Sequence, residues 1–202
     1  MIVVFARAPV PGRAKTRLVP RLGEWRAARL HARLARHALA VAAASHCGPV
    51  ELHGTTGHSF FSLYGNFHLQ RGADLGARMH HAFSVSLRRS ERVILIGTDC
   101  PSLTPRDLRR AERLLQGGCH AVIAPAEDGG YGLIALRRNS PRLFEGIVWG
   151  GPDVYRETLR RLERLGWRWR ALRTVWDVDR PADLEGRRGL RVSSAAQRVD
   201  RR

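Results

Sequence analysis

Lys15 is the only lysine of a 202-residue chain whose 35 basic residues are otherwise all arginine. It sits in APVPGRAKTRL (residues 8–18), behind the apolar run IVVFA (2–6) and ahead of a long helical pattern. An ammonium is a compact point charge on a flexible stem and reaches a single phosphate oxygen, which a planar guanidinium does poorly. A loop between a strand and a helix also presents backbone amides near the carboxyl edge of a sheet. Gly12 allows close backbone approach there, and Arg7, Arg13 and Arg17 add charge, so the segment could cradle a phosphate chain. GxxxxGK[ST] is absent, so this is no Walker loop. A basic loop that simply holds the one lysine stands as the competing reading.

Carboxylates follow at three places. In GTDCPSL (97–103), Asp99 lies just past the run VILI, where it could meet a hard cation bound to phosphate oxygens or merely make the turn before Pro101. In DVDRPADL (177–184), Asp177 and Asp179 project to one side of an extended segment, although Asp179 could equally be a helix N-cap ahead of Pro181. PAEDGGYGLIAL (125–136) puts Glu127, Asp128, Gly129 and Gly130 between two apolar runs. It reads as a hairpin turn in which the glycines supply positive φ. It reads also as a site whose carboxylates take a hydroxyl or base edge. QRGADLGARM (70–79), containing Gly76, is a nucleotide-contacting loop or a plain capped turn. The histidines lack HExxH or related metal spacing and read as surface or core residues. Cys47, Cys100 and Cys119 show no CxxC pair, so neither a disulfide framework nor a zinc site is indicated. Cys100, next to Asp99, would line the site. No GxSxG elbow is present.

The elements that must position these residues alternate between strand and helix. Strands are expected at 2–6, 49–54, 66–70 and 92–97, in CHAVIAP and YGLIALR, and within WRALRTV. Helices are expected at 24–44, in LGARMHHAFSVSLRR, from the cap Thr104 to Gly117 and Gly118, over about 152–165, and briefly in DRPADLEG. HSFFSLYG fits neither period. This is an α/β sequence with a mostly parallel central sheet flanked by helices, and such sheets bind ligands at the carboxyl ends of their strands.

Length fits one domain, 1–186, followed by a basic tail, 187–202, without periodicity and expected to be disordered. No run approaches the roughly 18 apolar residues of a membrane span, and the first strand lacks the basic lead of a signal peptide; a cytoplasmic protein is expected. The net charge of +17 raises nucleic-acid binding as a rival function. The arginines, however, are interleaved with Ala and Leu on helix faces such as RAARLHARLARHA, as solvated surface would be, and no reader motif accompanies them. Nucleic acid is therefore not the expected partner.

Taken in order, FARAPVPGRAKTRL, ADLGARM, LIGTDCPSL, APAEDGGYGLIAL, LFEGIVW and DVDRPADL resemble the DUF2064 family of bacterial GT-A-fold proteins, nucleotide-diphospho-sugar transferase-like and associated with radical-SAM/selenodomain proteins. The likeness runs from Met1 to Leu184. It implies a Rossmann-like nucleotide-diphospho-sugar transferase fold, and a glycosyltransferase that moves a sugar from a nucleotide-sugar donor to a small-molecule acceptor. A guanylyltransferase-like nucleotidyltransferase acting on a small phosphorylated acceptor is the alternative. Carried over residue by residue, the resemblance gives Lys15 and Asp99 catalytic roles. It gives the nucleotide to Arg7, Gly12, Lys15, Arg17 and Gly76, and Mg²⁺ or Mn²⁺ to Asp99, Asp177 and Asp179. Glu127, Asp128, Gly129 and Gly130 would face the acceptor or sugar. The chain departs from the family pattern after Trp149 and at Arg180, where threonine is usual.

Overall fold

Strand β1 (Ile2–Ala6) is buried along all five residues, as a strand covered on both faces must be. The computed structural model describes residues 1–184; the tail from Arg187 lies outside the described residues. After β1 come α1 (Val19–Leu22), α2 (Glu24–Ser45), β2 (Val50–Gly54), β3 (Phe67–Leu69), α3 (Leu75–Ser86) and β4 (Val93–Gly97). Then follow α4 (Pro105–Gln116), β5 (Ala121–Pro125), β6 (Tyr131–Leu136), α5 (Val154–Arg164) and β7 (Trp169–Ala171).

One sheet runs in the order β3-β2-β1-β4-β6-β5-β7. β1 is parallel to β2 and β4, β3 to β2, and β7 to β5, while β6 is antiparallel to both its neighbours. Six strands therefore point one way and only β6 opposes them, the mostly parallel sheet expected from the sequence. Period 2 divides the core. Val4, Ile94 and Ile96 pack with α2 and α4 on one face, while Val3, Phe5 and Leu95 pack with α3 and α5 on the other.

Local chemistry sets the element ends. Asp107 receives its backbone hydrogen bond from Thr104, whose hydroxyl in turn accepts from the Asp107 amide, so α4 opens with a complete capping box and Pro105 in its first turn. Asp74 caps α3 through the Ala77 amide at 2.8 Å. The stretch after β1 is more ordered than a plain loop. Its second half forms a 3-10 turn, Thr16–Leu18, and α1, because Leu18 buries itself against Ala27, Leu34 and Val178. HSFFSLYG resolves into a 3-10 turn, Ser59–Leu63, capped by His58. At Pro181–Leu184 the expected cap works in reverse: the Asp183 carboxylate accepts from the amides of Asp179 and Arg180, at 2.9 and 2.6 Å. The Asp179 side chain is left for another partner.

Candidate active site

From β1 the chain moves outward to β2 and β3, then crosses back to β4 on the other side of β1. The crevice beyond β1 and β4 is thus the topological switch point, where doubly wound sheets bind ligands. Because strand directions agree, the segments leaving β1, β4, β5 and β7 all emerge at this edge.

Lys15 joins three of them. Its side chain is 3% exposed, and its Nζ lies 2.8 Å from Asp99 Oδ1 and donates to the Val178 carbonyl. The Val178 amide donates to the Asp99 carbonyl at 2.9 Å, closing the link from β4 to the 172–179 segment. To deliver the ammonium there, the Lys15 backbone takes φ 52°, ψ 45°, a left-handed conformation that costs a non-glycine residue about 1–2 kcal/mol. Gly12, at φ 74°, turns the loop beside the Glu24 carboxyl group. The Arg13 and Ala14 amides both donate to the Val10 carbonyl, so these two donors are used within the loop. Arg17 Nη1 reaches Asp179 Oδ2 at 2.5 Å, which gives the Asp179 carboxylate a partner other than the helix cap. Arg7 and Arg13 are exposed.

Opposite them, the β5–β6 turn is the hairpin expected, and it presents exposed carboxylates beside this edge. The Ala126 amide donates to the Gly130 carbonyl and the Glu127 amide to the Val175 carbonyl, which ties the turn to the 172–179 segment. Gly129, at φ 89°, sits so close to the Pro152 carbonyl that a Cβ would come within 1.9 Å of its oxygen. Asp128 Oδ1 accepts from the Gly130 amide at 2.9 Å, and both Glu127 and Asp128 are exposed. Burial first, and the Asp128 carboxylate second, push the Asp177 carboxyl up to about 6. Two carboxylates from different loops thus oppose one another across this edge. Cys100 fills the space above Gly132; burial, then Asp177 and Asp99, push its thiol far above the usual range, so it lines the edge as an inert thiol.

Lys15, Arg17, Asp99, Asp128, Asp177 and Asp179 therefore share one edge, with Gly12, Glu127, Gly129 and Gly130 shaping its loops. Gly76 stands apart. It is buried in α3 against Phe144 and Trp149, and a Cβ there would come within 2.7 Å of both, so close packing accounts for the glycine. Among the described residues, Asp99, Asp177 and Asp179 do not bring three ligand atoms within 4.8 Å of one another. All-oxygen donors that repel one another nonetheless suit a hard divalent cation.

Two residues of this edge escaped the sequence reading. His31, buried in α2, places Nε2 3.0 Å from the Arg7 carbonyl and Nδ1 3.8 Å from Asp99 Oδ1. Burial holds it below the usual imidazole range, so near neutrality it is uncharged and donates Nε2–H to the loop. Its only signal was a histidine on the apolar stripe of a helix. Ser102 holds the Trp176 backbone twice, donating to its carbonyl at 3.0 Å and accepting from its amide at 2.9 Å.

This architecture defines the class, the nucleotide-diphospho-sugar transferase type of α/β fold. The chain belongs to DUF2064, described as an uncharacterized protein family conserved in bacteria, which it matches over residues 38–151. A solved structure from Desulfovibrio desulfuricans G20, described as a candidate nucleotide-diphospho-sugar transferase, is 33% identical with a TM-score of 0.86, covering 96% of this chain and 90% of that one. CMP:2-keto-3-deoxy-manno-octonic acid synthetase complexed with CTP shares the fold at 17% identity and a TM-score of 0.54, covering 92% and 95%. Rv0371c of Mycobacterium tuberculosis H37Rv, in complex with manganese, shares it at 18% identity and 0.51, covering 91% and 95%. A search of curated proteins finds no significant match. Among the described residues no helix is long and apolar enough to cross a membrane.

Proposed function

We propose that the chain is a nucleotide-dependent transferase of the metal-assisted, glycosyl-transferring kind, taking a nucleotide-diphospho-sugar donor and a small-molecule acceptor. One observation carries the reading: the sole lysine is buried at the switch point, with its ammonium joining the segments after β1, β4 and β7. Burying a cation is costly unless it is paired, and here it is paired with a carboxylate that is itself half exposed. A diphosphate arriving at that half-open pair would take over part of the partnership. The family membership and the 33% identical relative support the donor class.

In this mechanism the bond from the anomeric carbon to the diphosphate breaks as an acceptor oxygen bonds to that carbon. Lys15 neutralises charge developing on the departing diphosphate, and Arg17 and Arg13 hold its outer oxygens. Asp128, exposed on the hairpin, binds the acceptor hydroxyl and takes its proton. His31 keeps the Arg7 end of the loop in place from below. A divalent cation, Mg²⁺ or Mn²⁺, would be held by Asp99 and Asp177, with Asp179 beside them, and would supply charge neutralisation at the same diphosphate.

The test is product analysis. Purified protein is incubated with nucleotide sugars, or with nucleoside triphosphates, plus Mg²⁺ or Mn²⁺ and pooled small-molecule acceptors. Release of nucleoside diphosphate from a nucleotide sugar is the expected result. Release of pyrophosphate from a triphosphate alone would replace glycosyl with nucleotidyl transfer, and release of neither would contradict the transferase reading.

A further inference from the structure

A second cluster of ligand-type side chains lies away from this edge, on the outer strands β2 and β3. Glu51 and His53 are two apart on β2 and so share a face. His68 on β3 is the registered partner of His53. Glu51 and His53 are buried, His68 is half exposed, and one ligand atom of each lies within 4.8 Å of the others. His53 Nε2 is 3.2 Å from Glu51 Oε2, and His68 Nε2 is 3.8 Å from Glu51 Oε1. The His53 ring is stacked on Phe5, centroids 5.9 Å apart at 23°, which fixes the direction of its nitrogens.

We propose that Glu51, His53 and His68 form a binding site for one first-row divalent transition ion of the zinc class, separate from the oxygen-rich site at the switch point. Two imidazole nitrogens and a carboxylate oxygen are a recurrent three-protein-ligand set for zinc, and imidazole selects such ions over Mg²⁺. Ligands about 2.1 Å from a tetrahedral ion stand about 3.4 Å from each other; one ligand atom of each residue already lies within 4.8 Å of the others, so small side-chain rotations would close the set on an ion. The exposed side of His68 leaves a path of entry. With ligands from both strands, the ion would clamp the three-residue edge strand β3 to β2.

Arg89 is the competitor. Its guanidinium forks onto both Glu51 oxygens, at 2.7 and 3.2 Å. Its side chain is 45% exposed and free to swing outward, and a carboxylate has lone pairs beyond the two that the fork uses. The site therefore makes opposite predictions for its neighbours: losing a ligand weakens the ion, and losing Arg89 tightens it.

The experiment uses the full chain, stripped with a chelator and titrated with Co²⁺ as a visible-absorbing probe, then with Zn²⁺ as its displacer. In wild type the intense visible bands of low coordination are expected to saturate with one equivalent of Co²⁺ and to be discharged by Zn²⁺. His68→Ala, at a half-exposed position, should bind at least tenfold more weakly while keeping its far-UV circular dichroism. Arg89→Ala should bind more tightly than wild type, and Asp177→Asn, at the separate oxygen-rich site, should leave the intense low-coordination bands unchanged. Wild type showing only the weak bands of six-coordinate Co²⁺ would overturn the proposal. So would wild-type affinity in His68→Ala, which would place the ion on other histidines. Loss of the signal in Asp177→Asn, or weaker binding in Arg89→Ala, would overturn it as well.

Discussion

At the residue scale, Lys15 carries charge and strain together, and substitutions can separate the two. Lys15→Ala removes the ammonium and should lower turnover by about 10²–10³, the usual cost of one transition-state donor. Lys15→Arg should not restore it, because a planar fork does not fit a pocket in which the side chain is 3% exposed. Lys15→Gly loses the charge equally but accepts φ 52° without penalty. It should melt above Lys15→Ala, by about 1 kcal/mol in denaturant titrations, while being just as inactive. Equal stability of the two would show that the loop is not strained there. The lysine was legible in the sequence because it stood alone among arginines; its left-handed backbone and its contact with Val178, 163 residues away, were not, since neither follows from local spacing. Asp179 was legible as a carboxylate yet open between two roles, and only the position of Arg17 in space decides its partner.

At the element scale, the 172–179 segment is held in place by α4 as much as by its own strand. Arg173 Nε and Nη2 reach the two Asp107 oxygens at 3.0 and 2.7 Å, so the carboxylate that completes the α4 cap also anchors the segment carrying Asp177. Burial would raise Asp107, but hydrogen bonds from Arg173 and Thr104 outweigh it and hold the carboxyl below its usual value. A lowered folded-state value means that the unfolded chain binds more protons, so this stabilisation is present above about pH 4 and lost as pH falls through the folded-state value. Asp107→Asn should therefore cost about 2 kcal/mol at pH 7, and its difference from wild type should shrink below pH 4. A gap that did not change with pH would remove charge from the explanation. The start of α4 was readable from TPRD alone, as a Thr cap, a Pro and an acidic first turn, because that geometry is local; the reciprocal bond from Asp107 came with the structure. The tie to Arg173 was not, because it needs the packing of α4 against the end of β5.

For the whole molecule, every strand and long helix was legible: burial on both faces leaves a short continuous apolar run for a strand, and burial of one face leaves a 3.6-residue spacing for a helix. What these patterns left out was direction. That β6 alone runs against the sheet follows from the tight turn at 126–130, which the sequence offered as one of two readings. The same turn brings Asp128 opposite Asp177, so the hairpin and the site are one structure. His31 and the Glu51, His53 and His68 group had no readable spacing, because their partners come from other strands and loops. The exposed Arg26, Arg29 and Arg33 of α2 match the solvated helix face expected of them, and the high net charge favours the approach of anionic ligands generally.

The most direct measurement is a melting-temperature titration of wild type and Lys15→Ala with nucleotide sugars in the presence of Mg²⁺ or Mn²⁺. At about 100 times Kd a ligand adds about 2.7 kcal/mol to native-state stability, or about 5–11 °C for a chain of this size. Wild type should show such a shift with at least one nucleotide sugar, dependent on the cation and absent in Lys15→Ala. An equal shift in both proteins, or none in wild type with any nucleotide, would contradict the proposed function.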